Sequence, residues 1–101
     1  MRVHVSGSND SINQQARAYA EYRVFEVLAR HRHVRGARVA LRRSQRTDDD
    51  DSVVCTINIE LEPQGRLRTR ASASHAHGAV DRAVKRIGEL MREYVPRPVS
   101  T

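Results

Sequence analysis

The chain has no tryptophan, one phenylalanine, three tyrosines and one cysteine among its 101 residues. With so few aromatics, the core has to be built from Val, Ile, Leu and Ala. A lone Cys55 excludes a disulfide within the chain and fits a reducing compartment. No apolar run approaches the length of a membrane span. The opening stretch, MRVHVSGSND, is too short and polar for a secretory signal. The expectation is a cytoplasmic protein with no membrane contact. Lysine is nearly missing too: Lys85 is the only one, so almost the whole basic complement is arginine.

Positive charge is what the chain has in excess. Its 18 basic residues outnumber 12 acidic ones, for a formal charge of +6. Four of the acids form one run, Asp48–Asp51, and the remaining residues carry +10. Such an excess repels itself in a compact state and points to an acidic partner. Codon bias accounts for Arg over Lys but not for the net excess. The planar guanidinium grips phosphate bidentately and stacks on bases, which favours nucleic acid as that partner. The length fits one domain, expected over residues 1–95, with 96–101 as a short tail.

Periodicity predicts the elements. Val3 and Val5 alternate with Arg2 and His4 in a short first strand. A helix follows the polar break at Gly7–Asp10, with Asn13, Asp10 or Ser11 as N-cap and an end near His31–His33. Ala16, Ala20, Val24 and Val27 form its apolar stripe, flanked by Ile12, Tyr19 and Leu28. Gly36 marks the turn into a second strand with Val39 and Leu41 on one side and Arg38, Ala40 and Arg42 on the other. Ser44–Ser52 reads as a solvated, acidic hairpin loop. Val53, Cys55, Ile57, Ile59 and Leu61 give a strict period-two face. After Pro63-Gln64-Gly65, a fourth strand sets Leu67, Thr69, Ala71 and Ala73 against Arg66, Arg68, Arg70 and Ser72. A last helix runs from about His75 to Tyr94, with Val80, Val84, Ile87, Met91 and Tyr94 on an apolar stripe that Ala83 and Leu90 widen, and Pro96 and Pro98 stop it. The order β-α-β-β-β-α predicts an α/β (α+β) two-layer sandwich: a four-stranded mixed sheet with two helices on one face.

Chemistry-bearing motifs are few. His31-x-His33 and His75-x-His77 bring imidazoles together, but no CxxC or HExxH spacing accompanies them, and Cys55 falls on a core-facing strand position. No nucleophile elbow or phosphate loop is present. The reading is no metal, no cofactor, no small-molecule substrate and no catalysis. The acidic run Asp48–Asp51 lacks the spaced ligands and glycine of a calcium loop.

Several stretches, in this order, resemble the short ribosome hibernation-promoting factors, also called ribosome-associated inhibitors, over nearly the whole chain. VHVSGSN is similar to the family's first strand and its exit. INQQARAYAEYRVFEVL matches the first helix without a gap, with an aromatic at Tyr19 and a basic residue at Arg23. VRGARVALRR resembles the second strand, and HGAVDRAVKRI carries the signature that opens the last helix, here Ala79-Val80-Asp81. The chain departs from the family at His75-Ala76-His77, which replaces an acidic-aromatic pair, and at Glu89, where a basic residue is usual. The resemblance implies binding to the small ribosomal subunit and its 16S-type rRNA, in the channel used by messenger and transfer RNA, with translation blocked by occupancy.

Three basic clusters are the expected RNA contacts. Arg66, Arg68 and Arg70 form a row on the strand face away from the helices, roughly 7 Å apart, extended by Arg2 and Arg42. Arg82, Lys85, Arg86 and Arg92 lie opposite the apolar stripe of the last helix, and Arg17, Arg23 and Arg30 flank the first. Glu60 and Glu62 on the neighbouring strand are alternative partners for the strand row. A second stripe on the first helix, Ala18, Tyr22, Phe25 and Ala29, is either a widened core edge or an exposed patch for a partner, self-association or base stacking. A monomer or weak homodimer is expected. Two other classes stand beside the leading one: a general RNA-binding or protein-interaction module on the same scaffold, and a small enzyme using His75, His77 and Asp81.

Overall fold

A computed structural model describes residues 1–7, 12–43, 53–62 and 65–94. Six elements follow in order: β1 (Arg2–Gly7), α1 (Gln14–Leu28), β2 (Val34–Arg43), β3 (Val53–Leu61), β4 (Arg66–Ala73) and α2 (Ala76–Glu93). They build one sheet in the order β1-β2-β3-β4. β1 and β2 are parallel because α1 crosses between them, whereas β2, β3 and β4 are antiparallel neighbours. This is the predicted mixed sheet with two helices on one side.

One face of the sheet is buried. Val39, Leu41, Val53, Cys55, Ile57, Ile59, Leu61, Ala71 and Ala73 meet Ala16, Ala20, Val24 and Leu28 of α1 and Val80, Val84, Ile87 and Met91 of α2. Aliphatic side chains fill nearly all of this core, as the aromatic scarcity requires. The other face of every strand carries polar side chains and stays open. Thr69 is the one buried polar residue described, and it stands among the core positions of β4.

Asn13 caps α1: its side-chain oxygen accepts from the Ala16 amide at 2.8 Å. α1 ends at Leu28 rather than near His31–His33. The backbone turns there, with the His31 amide donating to the Leu28 carbonyl at 3.0 Å, so that Val34 can reach its buried place in β2. Gly36 is not the turn into β2 but lies within the strand, beside a register shift between Val34 and Gly36. It stands opposite Arg2, and an added Cβ would meet the Arg2 carbonyl oxygen at 3.2 Å. The glycine thus serves the close approach of β1. Gly65, with φ of 125°, does require glycine: it takes the left-handed turn between β3 and β4. The predicted hairpin loop Ser44–Ser52, with Asp48–Asp51, lies outside the described residues, as do Asp10, Ser11, Pro63, Gln64 and the tail with Pro96 and Pro98.

Candidate nucleic-acid interface

The strand registers place the open-face side chains in rows across the sheet. His4, Arg38, Asn58 and Arg68 form one row, and Arg2, Gly36, Glu60 and Arg66 form the next. Thr56 stands between Ala40 and Arg70. Arg38 and Arg68 are therefore two strands apart, about 10 Å. Arg38 was not among the residues expected to bind, although its outward position in β2 is legible from the alternation. Register alone brings it to the middle of the arginine field. Glu60 faces Arg66 directly, yet among the described residues both ion pairs involve Arg23, and none joins Glu60 to Arg66. Among the described residues no ion pair engages Arg38, Arg66, Arg68 or Arg70.

The four basic residues expected on α2 do not form one cluster. Arg82 donates to the Ser72 carbonyl at 2.7 Å and Arg86 to the Arg70 carbonyl at 2.8 Å. Both side chains thus lie over β4, an edge strand of the sheet. Their guanidinium groups thus sit at the edge of the strand whose open face carries Arg66, Arg68 and Arg70. Lys85 and Arg92 turn the other way. With Arg23 and Arg30 they line a groove between the two helices, floored by Val27, Val84 and Gly88. Glu26, Asp81 and Glu89 line the same groove, so its charge is mixed.

Arg23, expected to meet phosphate, is already engaged within the protein. Its Nη1 donates to Glu26 at 2.9 Å, and its Nε lies 3.7 Å from Asp81. Asp81 also accepts from the Tyr19 hydroxyl, and the Tyr19 ring packs 4.3 Å from the ring of His77. The hydrogen bond to Asp81, then burial, holds the Tyr19 pKa above its usual value. This chain of contacts ties α1 to the start of α2. Arg17 lies against the end of β1. A Cβ on Gly7 would come within 2.9 Å of its Nε. His75, the N-cap of α2, accepts from the Gly78 amide through Nδ1 at 3.4 Å.

The second stripe of α1 does not widen the core. Tyr22 is 63% exposed and Phe25 49% exposed, on the side of α1 away from the sheet. Cys55 is fully buried, and desolvation pushes its thiol up to about 12. Among the described residues no group of three or more His, Cys, Asp or Glu side chains is placed to hold a metal, and no helix is long and apolar enough to cross a membrane.

The fold and surface define a class: a small basic α/β domain with one open, arginine-bearing sheet face. The chain belongs to the sigma 54 modulation protein / S30EA ribosomal protein family, whose model matches residues 3–97. This is a family of ribosome-associated modulation factors and not of known enzymes. Among solved structures, a ribosomal subunit interface protein from Coxiella burnetii is similar with a TM-score of 0.76 and 13% identity, over 93% of this chain and 97% of that one. The N-terminal domain of Thermus thermophilus Protein Y is similar with a TM-score of 0.68 and 22% identity, over 91% and 93% of the two chains. No curated protein sequence matches.

Proposed function

We propose that this protein is a cytoplasmic ribosome-hibernation factor that binds the small ribosomal subunit through rRNA phosphates and occludes the channel for messenger and transfer RNA. The observation that carries this reading is the arginine-bearing sheet face. Arg66, Arg68, Arg70 and Arg38 stand on the open face, and Arg82 and Arg86 lie at the edge of β4. A rigid sheet holds these guanidinium groups at fixed spacing. Folded RNA is recognised largely through shape, phosphate and 2′-OH contacts, which suits such a surface. Membership of a ribosome-associated family supports the same partner. The protein does no chemistry in this reading; occupancy alone stops translation. Lys85, Arg92, Arg30 and Arg17 are secondary contacts, and Arg23 contributes mainly by linking the helices.

Co-sedimentation with purified small subunits at low salt tests it. The triple variant Arg66→Glu, Arg68→Glu, Arg70→Glu is expected to lose pelleting while keeping the circular-dichroism spectrum of the parent. Undiminished pelleting would remove the row from the interface. Migration of the parent with free RNA, and not with ribosomal particles, in a sucrose gradient of cell extract would replace the ribosome with general RNA as the partner.

A further inference from the structure

On the open sheet face, β3 runs between two strands that carry arginine. Its outward side chains are Val54, Thr56, Asn58 and Glu60. The registers set Asn58 between Arg38 and Arg68, Thr56 between Ala40 and Arg70, and Val54 between Arg42 and Ser72. Neighbouring strands lie about 4.8 Å apart, so the two arginine columns stand about 10 Å from each other across β3. Asn, Thr and Val are short, whereas arginine is long, and Arg38, Arg42, Arg68 and Arg70 are all exposed. The face is therefore a shallow trough. Its floor is neutral and runs along β3, with Arg38 and Arg42 on one wall and Arg68 and Arg70 on the other. Glu60, between Gly36 and Arg66, ends it, since a carboxylate on the floor repels phosphate.

The floor is not what a strand alone would choose. Asn is disfavoured in strands, where β-branched and aromatic residues fit the pleat better. Yet Asn58 stands in the middle of β3 between the fully buried Ile57 and Ile59, with its own side chain exposed. Among the described residues no hydrogen bond or ion pair engages the side chains of Asn58, Thr56, Arg38, Arg42, Arg68 or Arg70. The Asn58 amide both donates and accepts, and so does the Thr56 hydroxyl. Such groups can match the mixed donors and acceptors of a base edge, where a guanidinium can only donate. A guanidinium, in turn, neutralises phosphate or stacks on a base.

We infer that this trough holds unpaired RNA, with phosphates on the arginine walls and a base edge against Asn58 and Thr56. The inference rests on RNA being the partner and adds which form of RNA the face selects. A base reaches the floor only after leaving its stack. A duplex keeps its bases paired and is too wide for walls about 10 Å apart, so it meets the arginine tips alone. Asn58 and Thr56 are thus specificity-determining residues, while the arginines supply affinity that any phosphate backbone shares.

Fluorescence anisotropy with a short labelled RNA of mixed sequence, single-stranded or annealed to its complement, tests this. The parent is expected to bind the single strand about tenfold more tightly than the duplex. Asn58→Ala with Thr56→Val should lower single-strand affinity about tenfold, as for loss of one good base contact. Duplex affinity and the salt dependence should stay as in the parent, because the phosphate contacts remain. Asn58→Arg adds a positive charge yet should weaken single-strand binding, because the longer side chain fills the floor. Both positions point away from the core, so the variants are expected to keep the parent's circular-dichroism spectrum. Three results would overturn the trough: equal affinity of the parent for strand and duplex, an unchanged affinity in the double variant, or tighter single-strand binding by Asn58→Arg. With the parent still pelleting with small subunits, the ribosome reading would survive any of them. A parent that neither pellets with subunits nor binds either RNA would remove that reading and the trough with it.

Discussion

Cys55 sits in the middle of β3 between Leu41 and Ala71, fully buried, with its thiol pushed up to about 12 from an ordinary value of 9.0 by loss of solvation. Below pH 9.0 both the folded and unfolded chains keep the proton, and the contribution to stability is whole. Above it the unfolded chain ionises and the folded chain does not. Stability therefore falls as pH rises, by about 1.4 kcal/mol per unit for this one group until the folded thiol also titrates. Tyr19, raised from 10.0 chiefly by its hydrogen bond to Asp81, adds in the same direction at higher pH. Urea denaturation at pH ~8 and pH ~10.5 should show a loss of about 2 kcal/mol that Cys55→Val removes. An unchanged loss in Cys55→Val would mean that the thiolate is accommodated in the fold. Single residues also show where sequence reading stops. That Tyr22 and Phe25 lie on one stripe follows from helical spacing, but their exposure depends on where α2 packs, and α2 packs on the side of Val27 and Gly88. Arg23 and Arg38 differ for the same reason: two carboxylates reach the first, and among the described residues none pairs with the second.

At the level of elements, α2 does two things for β4. Its apolar stripe covers the inner face, and Arg82 and Arg86 close onto the backbone carbonyls of Ser72 and Arg70. Unpaired edge carbonyls invite pairing with another chain, and charged side chains laid on them discourage it. Arg82→Ala and Arg86→Ala should each cost about 1 kcal/mol in urea denaturation, the scale of one exposed charge-assisted hydrogen bond, and the pair should raise light scattering on heating. Lys85→Ala and Arg92→Ala, which face the groove and not the edge, should change stability by less than about 0.5 kcal/mol. Equal costs for the two pairs would show that the carbonyl contacts do not protect the edge. Charge reversal at Arg82 and Arg86 would therefore carry a folding defect into any binding assay, whereas reversal at the exposed Arg66, Arg68 and Arg70 is expected to leave the fold intact. The ends of elements were the least legible part. Nothing in Leu28-Ala29-Arg30 breaks a helix by propensity, and α1 stops because Val34 must return to the sheet.

For the whole molecule, charge and topology act together. Each phosphate neutralised releases counterions, so ribosome affinity should fall steeply with salt. Removing Arg66, Arg68 and Arg70 should lower the slope of log affinity against log salt by on the order of 2 to 3, if each meets one phosphate. A titration of small-subunit binding from low to moderate salt measures this. A slope equal to the parent's would show that the row lies away from RNA. The α1 stripe, flanked by Glu21 and Glu26, should leave that slope unaltered when Phe25 is replaced.

The order of elements, the inward face of each strand and the sign of the surface were fixed by the sequence, because period two and period near 3.6 declare which side chains must leave water and which cannot. Val53, Cys55, Ile57, Ile59 and Leu61 are all buried as their alternation demands. Only the tertiary structure decided which charges meet. Arg82 and Arg86 reached the Ser72 and Arg70 carbonyls at the sheet edge, and Lys85 and Arg92 joined Arg30 across a groove, because strand register and helix packing bring together residues far apart in the chain. One covalent string thus announces that it is basic and layered. Which arginines share one face, and where two aromatics stand exposed, is decided only once its layers have closed on one another.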